Sequence, residues 1–250
     1  MSDRPTVMSI AGFDPSGGAG ILADIKTFEQ HKVHGIAVCT AQTLQTESRF
    51  ESIRWERAED VLSAIQLMLQ SYNVEAVKIG IVPSVSFLLD VVRTIHLYDA
   101  GIRIVVDPVI RSTTEYDFWK ELGEESALFQ VLEMTTLITP NFQEAAQLLP
   151  GASAEEAAET LADYCAVLLK GGHNDAEPGA DYLYTDKKVK RLSPESADVF
   201  PKHGSGCVLS SAIAANLALG CGLGDACRKA KSFTEKFLGS SPSLIGHHVS

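Results

Sequence analysis

The sequence predicts an α/β protein with a largely parallel central sheet and antiparallel strands at its edge. Three observations carry that expectation. Short β-branched runs recur along the chain, segments with apolar residues at helical spacing fall between them, and one late segment alternates as a hairpin does. Strand and helix patterns in alternation mark βαβ units, in which each helix crosses over to cover the sheet.

Taken in order, residues 6–11 form the first apolar run, and Ile21, Ile25 and Phe28 then share one face of a predicted helix. Residues 35–43 form the second run, followed by Val61, Ile65 and Leu69 on a helical face. The third, residues 76–82, precedes Leu88, Val91, Val92 and Ile95 at the same spacing. Residues 102–109, 136–139 and 166–170 supply three more strands. Ser153 followed by Glu156 reads as a capping box that opens a helix running to about residue 164. Residues 181–192 alternate around Thr185-Asp186-Lys187-Lys188, which predicts a hairpin and hence antiparallel pairing at the edge. The last helix of this reading covers residues 209–219. No internal repeat or long Pro/Gly/Ser linker divides the 250 residues, so one domain spanning 1–250 is expected.

Bulk composition excludes several function classes. A formal net charge of −11 gives no broad attraction to nucleic acid or anionic lipid, so a phosphate-bearing small molecule must be held by a local site. The most apolar stretch, residues 208–223, is interrupted by Ser210, Ser211, Asn216 and Gly220, which suits a buried helix better than a membrane span. Residues 6–11 lack the basic flank of a signal peptide. Five cysteines without a C-x-x-C pair fit reduced thiols, and the expected compartment is the cytoplasm. His31, His34, His96, His247 and His248 show no metal-ligand spacing with them.

In an open parallel sheet, ligands bind beyond the carboxyl ends of the strands. The informative residues fall there. His203-Gly204-Ser205-Gly206-Cys207 runs into a helix, and free N–H groups in a first helical turn attract anions, with glycines allowing close approach. Phosphoryl transfer needs such donors, because negative charge spreads over the migrating group. Cys207 at that helix start is the candidate general base, with a thiol pKa expected to be lowered there; the alternative is a small buried hydrophobe. Asp107, Asn141 and Glu144 offer hard oxygens suited to magnesium, or else Asn141 and Glu144 cap the helix after Pro140. Lys170-Gly171-Gly172-His173 aims an ammonium at a strand end, either at nucleotide phosphates or at solvent. The loop from Gly12 to Gly20 lacks the Lys-Ser/Thr ending of a Walker A motif; its glycines let a flat ligand lie near Asp24, itself otherwise a solvated helix position.

Over nearly its whole length, from Ala11-Gly12-Phe13-Asp14-Pro15-Ser16-Gly17-Gly18-Ala19-Gly20 and Ala23-Asp24-Ile25-Lys26-Thr27-Phe28 to Gly204-Ser205-Gly206-Cys207, the chain resembles the hydroxymethylpyrimidine/phosphomethylpyrimidine kinases of thiamine biosynthesis, within the ribokinase-like superfamily. The resemblance implies a three-layer α/β/α fold, a homodimer, and MgATP-dependent phosphorylation of the hydroxymethyl group and then of the monophosphate. By matching position it makes Cys207 the base and Gly204, Ser205 and Gly206 the anion hole. Lys170, Asn141 and Gly172 would meet ATP, Asp107 and Glu144 the magnesium, and Gly12, Asp24, Gln45 and Ile81 the pyrimidine. Gln45 can both donate to and accept from a ring edge. Ile81 stands where many relatives place methionine, Ser205 replaces the usual threonine, Phe13 replaces a smaller residue, and residues 110–119 lack a glycine common in the relatives' flap. The rival readings are a pyridoxal-type vitamin kinase and a non-catalytic protein that binds a vitamin precursor.

Overall fold

The structure is a computed structural model that describes residues 4–110, 118, 125–174, 176–185, 188–196 and 198–249. In chain order its elements are β1 (Thr6–Phe13), α1 (Gly20–Gln30), β2 (His34–Gln45), β3 (Phe50–Trp55), α2 (Ala58–Ser71), β4 (Val74–Ile79), α3 (Val85–Tyr98) and β5 (Arg103–Val106). There follow α4 (Glu125–Glu133), β6 (Leu137–Ile138), α5 (Phe142–Leu148), α6 (Ala154–Leu161), β7 (Ala166–Leu169) and a 3-10 turn at Gly171–His173. The chain continues through β8 (Asp181–Thr185), β9 (Lys188–Leu192), α7 (Ser205–Ala218) and α8 (Leu223–Gly239).

The described strands form one sheet in the order β3-β2-β1-β4-β5-β6-β7-β8-β9. Pairing is parallel from β2 through β7 and antiparallel at both ends, where β3 meets β2 and β8 and β9 follow β7. The predicted hairpin is β8–β9, though Asp186 and Lys187 of its turn lie outside the described residues. β3 is an addition to the sequence reading. Of the segment 110–119, Ile110 and Phe118 alone are described.

Side chains alternate across each strand and so divide the core in two. Met8, Ile10, Val77, Ile79, Ile104, Val106, Ile138, Val167 and Leu169 face α2 to α6. Val7, Ala76, Val105, Leu137 and Leu168 face the opposite way, where Phe28 of α1, Val208 to Leu217 of α7 and Phe237 of α8 cover them. The result is the expected layer of helices on each face. Local signals start several helices: the Ser84 side chain accepts from the Phe87 N–H, and reciprocal capping boxes open α5 (Asn141 with Glu144) and α6 (Ser153 with Glu156). Among the described residues no helix is long and apolar enough to cross a membrane.

Candidate active site

α7 begins at Ser205, earlier than the sequence pattern suggested, because Gly204 caps it in the left-handed region at φ 75°. A Cβ at Gly204 would collide with the Gly18 carbonyl oxygen and sit 2.8 Å from Ala19 Cα, so the loop after β1 lies directly on the helix start. That loop is wound around Asp14. Its carboxylate accepts from the Ser16 and Ala19 N–H groups at 2.9 Å and from Ser16 Oγ at 2.8 Å, and it lies 2.9 Å from His203 Nε2. Burial alone would raise Asp14, but these bonds, led by His203, hold its carboxyl below the ordinary value.

The same alternation that builds the core places a polar row beneath α7. Ser9 of β1 and Lys78 of β4 are registered neighbours on the α7 face, and one step beyond β5 and β6 the pattern brings Asp107 and Thr139 to that face. Lys78 is fully buried and donates to both Asp24 oxygens, at 3.0 and 2.9 Å. Ser9 Oγ at 2.5 Å and Ser211 Oγ at 2.6 Å complete the shell of the Asp24 carboxylate. With no exposed surface, Asp24 is the buried partner of Lys78, and the expectation that it points at a ligand is corrected. Period and helix spacing fixed its face, but only the fold supplied the lysine opposite.

Asp107 is held from three sides: Lys170 Nζ donates to Oδ1 at 2.8 Å, Thr139 Oγ1 lies 3.2 Å from the same oxygen, and Ser210 Oγ of α7 lies 3.3 Å from Oδ2. Burial would raise this carboxyl, but the charges of Lys170 and Lys78 hold it below the usual range. Lys170 is also 3.5 Å from Glu144 Oε2. That oxygen accepts from the Asn141 N–H at 2.7 Å while Asn141 Oδ1 accepts from the Glu144 N–H at 2.8 Å, so both residues do serve as helix caps. Burial pushes Glu144 up to about 7, with Lys170 opposing and Asp107 adding to the rise. Burial would lower both lysines, yet Asp24 beside Lys78 and Asp107 beside Lys170 hold them above the ordinary value.

Gly206 stands over this cluster. A Cβ there would sit 3.4 Å from Lys170 Nζ and 3.6 Å from Asp107 Oδ2, so the first turn of α7, with Gly204, Ser205, Gly206 and Cys207, faces the Lys170–Asp107 pair. Cys207 is partly exposed. Its thiol is pushed up to about 11 by burial; Lys78 opposes, while Asp24 and Asp107 add to the rise. The lowered thiol expected from the helix start is therefore corrected: desolvation, with two nearby carboxylates adding to it, outweighs the nearest ammonium.

Gly12 and Ile81 are brought together, since a Cβ on Gly12 would lie 2.9 Å from Ile81 Cγ1 and run into Cδ1. Gln45, at the end of β2, donates to Thr43 Oγ1 at 2.9 Å, and Thr43 in turn donates to the Phe13 carbonyl at 2.9 Å. Gly172 lies in the 3-10 turn after Lys170, with open space where a Cβ would be. Sequence reasoning missed Lys78, His203, Ser9, Ser211 and Thr139. Lys78 left a signal, a charge in the middle of the apolar run Ala76-Val77-Lys78-Ile79.

A parallel sheet whose strand ends gather an amide-rich helix start, paired lysines and carboxylates defines a small-molecule kinase of the ribokinase-like class. A crystal structure of pyridoxal kinase from Bacillus subtilis as an ADP complex superposes with a TM-score of 0.84 at 27% identity, covering 99% of this chain and 97% of that one. The crystal structure of phosphomethylpyrimidine kinase from Clostridium difficile 630 matches with a TM-score of 0.77 at 30% identity, over 92% and 98% of the two chains. The hydroxymethylpyrimidine/phosphomethylpyrimidine kinase of Escherichia coli K12 is 31% identical over 255 residues, 98% of this chain and 96% of that protein. The family model for phosphomethylpyrimidine kinase matches residues 14–250, and the chain belongs to that family.

Two outcomes follow from the buried charges. Replacing Lys78 by methionine removes the cation paired with the buried Asp24 side chain and should cost about 3–5 kcal/mol in urea denaturation, whereas Lys78→Met with Asp24→Asn should recover about half or more; equal losses in the two variants would contradict the pairing. For Glu144 the raised folded value means that the folded chain binds more protons than the unfolded chain between its ordinary 4.5 and about 7. Its stabilising contribution is thus complete below pH 4.5 and lost as pH rises through about 7. The stability of the wild type minus that of Glu144→Gln should fall across this window by on the order of 1–3 kcal/mol, and a difference independent of pH would refute the assignment.

Proposed function

We propose that the chain transfers the γ-phosphoryl group of ATP to the hydroxymethyl oxygen of 4-amino-5-hydroxymethyl-2-methylpyrimidine, and then phosphorylates the monophosphate, as one kinase domain. The observation that carries this reading is the start of α7 standing over Lys170 and Asp107, with a partly exposed Cys207 in the same turn. The backbone N–H groups from Gly204 to Cys207 would steady charge on the migrating group, and Lys170 would meet the nucleotide phosphates beside Asn141 and Gly172. Gly12, Ile81 and Gln45 would bound the pyrimidine.

Cys207 would take the proton of the attacking hydroxyl. It would do so as the thiolate, which a thiol pushed up to about 11 leaves as the minor form at neutral pH, and the hydroxyl proton would leave late, as the new O–P bond forms. Asp107 and Glu144 set hard oxygens on either side of Lys170 Nζ, 2.8 and 3.5 Å away, a donor set suited to a hard cation that keeps its waters. They are the residues that would hold magnesium, which when bound neutralises phosphate charge. Among the described residues no group of three or more His, Cys, Asp or Glu side chains is arranged to hold a metal unaided, in keeping with a cation that arrives with the nucleotide.

The five free cysteines suit a reducing cytoplasm, and we take the chain to be a homodimer, which light scattering would check. The close superposition on pyridoxal kinase favours pyridoxal as the second ring to test. Purified protein with ATP, magnesium and each ring alcohol should yield one- and two-phosphate pyrimidine products by mass spectrometry. Cys207→Ala should lower kcat by about 10²–10⁴ with the KM for ATP little changed. Undiminished turnover in that variant would remove the base, and background ATP hydrolysis with every ring would favour a vitamin-precursor-binding protein.

A further inference from the structure

The second buried charge cluster lies away from Cys207, and the reaction as derived makes no use of it. Lys231 on α8 is 8% exposed and is surrounded by three oxygens: it donates to the Gly179 carbonyl at 2.5 Å and to Asp181 Oδ2 at 3.0 Å, and lies 3.3 Å from Glu235 Oε1. Asp181 and Glu235 are as deeply buried. Replacing such a cluster by apolar side chains is often neutral or stabilising, so stability alone is a weak reason for its presence.

The remaining oxygens show what the cluster holds. Asp181 Oδ1 accepts from the Gly171 N–H at 2.8 Å, at the start of the 3-10 turn that follows Lys170. Gly179 N donates to Gly171 O at 3.1 Å, and a Cβ on Gly171 would collide with the Ala180 carbonyl, so the turn is seated tightly. Glu235 Oε2 accepts from the Glu195 and Ser196 N–H groups at 2.8 and 3.1 Å, in the connector that leads from β9 into Gly204 and α7. Farther along, that connector stays fastened to α8 and the segment after it, through Phe200 N to Leu238 O at 3.3 Å, Lys202 Nζ to Ser241 O at 2.5 Å and His203 N to Leu244 O at 2.9 Å. One ammonium thus joins the two chain segments that deliver Lys170 and the amides of α7.

We propose that Lys231 is a positioning residue for nucleotide binding: through Asp181 and Glu235 it sets the Lys170–Gly172 turn and the connector into α7 at the separation a polyphosphate requires. This rests on the kinase reading above. It touches neither the pyrimidine side, bounded by Gly12 and Ile81, nor Cys207, so its effect should fall on one substrate. Small misplacements of phosphate-binding groups cost large factors.

The test is steady-state kinetics with both substrates varied, with calorimetric titration of ATP into wild type and variants and thermal melts as a check on folding. Lys231→Met should raise the KM and the Kd for ATP by about tenfold and leave the KM for the ring alcohol within about twofold, and Lys231→Arg should restore most of the loss. Glu235→Gln keeps the Lys231–Asp181 contact and should raise the ATP constants by about threefold; it decides the matter if Lys231→Met fails to fold. Folded variants with wild-type ATP constants, or with both substrates weakened alike, would overturn the proposal. Absence of ATP binding by the wild type would instead overturn the kinase reading on which it rests.

Discussion

The placement of α7 is the constraint on which the site depends. From Val208 to Leu217 every side chain is buried, so the helix has no face to offer water and must lie between the sheet and the pair α1 and α8. Its small residues, Ser210, Ser211, Ala212, Ala214 and Ala215, allow that close fit, and Gly204 brings its first turn against the Gly18 carbonyl. Once the helix is sandwiched there, its unpaired N–H groups have one location available, above the carboxyl ends of β4 to β7. Under the proposed function, anion binding there would be a by-product of apolar burial combined with a left-handed cap.

Beneath that helix the charges alternate in sign: Asp24, Lys78, Asp107, Lys170, Glu144. Desolvating them is costly, and their mutual attraction with the hydroxyls of Ser9, Ser211, Thr139 and Ser210 offsets that cost. A cluster already paid for during folding needs little reorganisation when charge moves across it, which is the condition for electrostatic assistance to a transferring phosphoryl group. Lys78 and Asp24 neutralise one another at the α1 side, leaving Lys170, between Asp107 and Glu144, as the cation nearest the open end of the row.

The sheet was legible because its cause is local: alternation and β-branched runs marked the parallel strands, and the segment at Asp181 marked an antiparallel edge. Phe50–Trp55 escaped because a half-exposed edge strand carrying Glu51 and Arg54 has little apolar signal, and its pairing is set by β2 beside it. At the site, the glycine frame around Cys207 and the strand-end residues Asp107, Asn141, Glu144 and Lys170 were readable from position, since each closes a strand or opens a helix. What was not readable was long-range. Asp24 looked like a ligand group until a lysine far along the chain filled its shell, and the thiol value of Cys207 follows from burial and from Lys78 on β4, Asp24 on α1 and Asp107 just after β5, which no local motif contains.

These neighbours also bear on why a thiol suits position 207 under the proposed reaction. Burial pushes that thiol up to about 11, and Asp24 and Asp107, fixed negative charges close by, add to the rise. A carboxylate in its place would add a third negative charge at the point where a polyphosphate must approach, and repulsion would weaken the ground-state complex. A neutral thiol adds none. To serve as base it must first lose its own proton to solvent, and the thiolate is neutralised as it takes the hydroxyl proton, so no negative charge remains on residue 207 once the transferring group has separated from its leaving phosphate. The elevated thiol value thus keeps the resting site compatible with an anionic co-substrate, and it leaves base catalysis to the small fraction of thiolate.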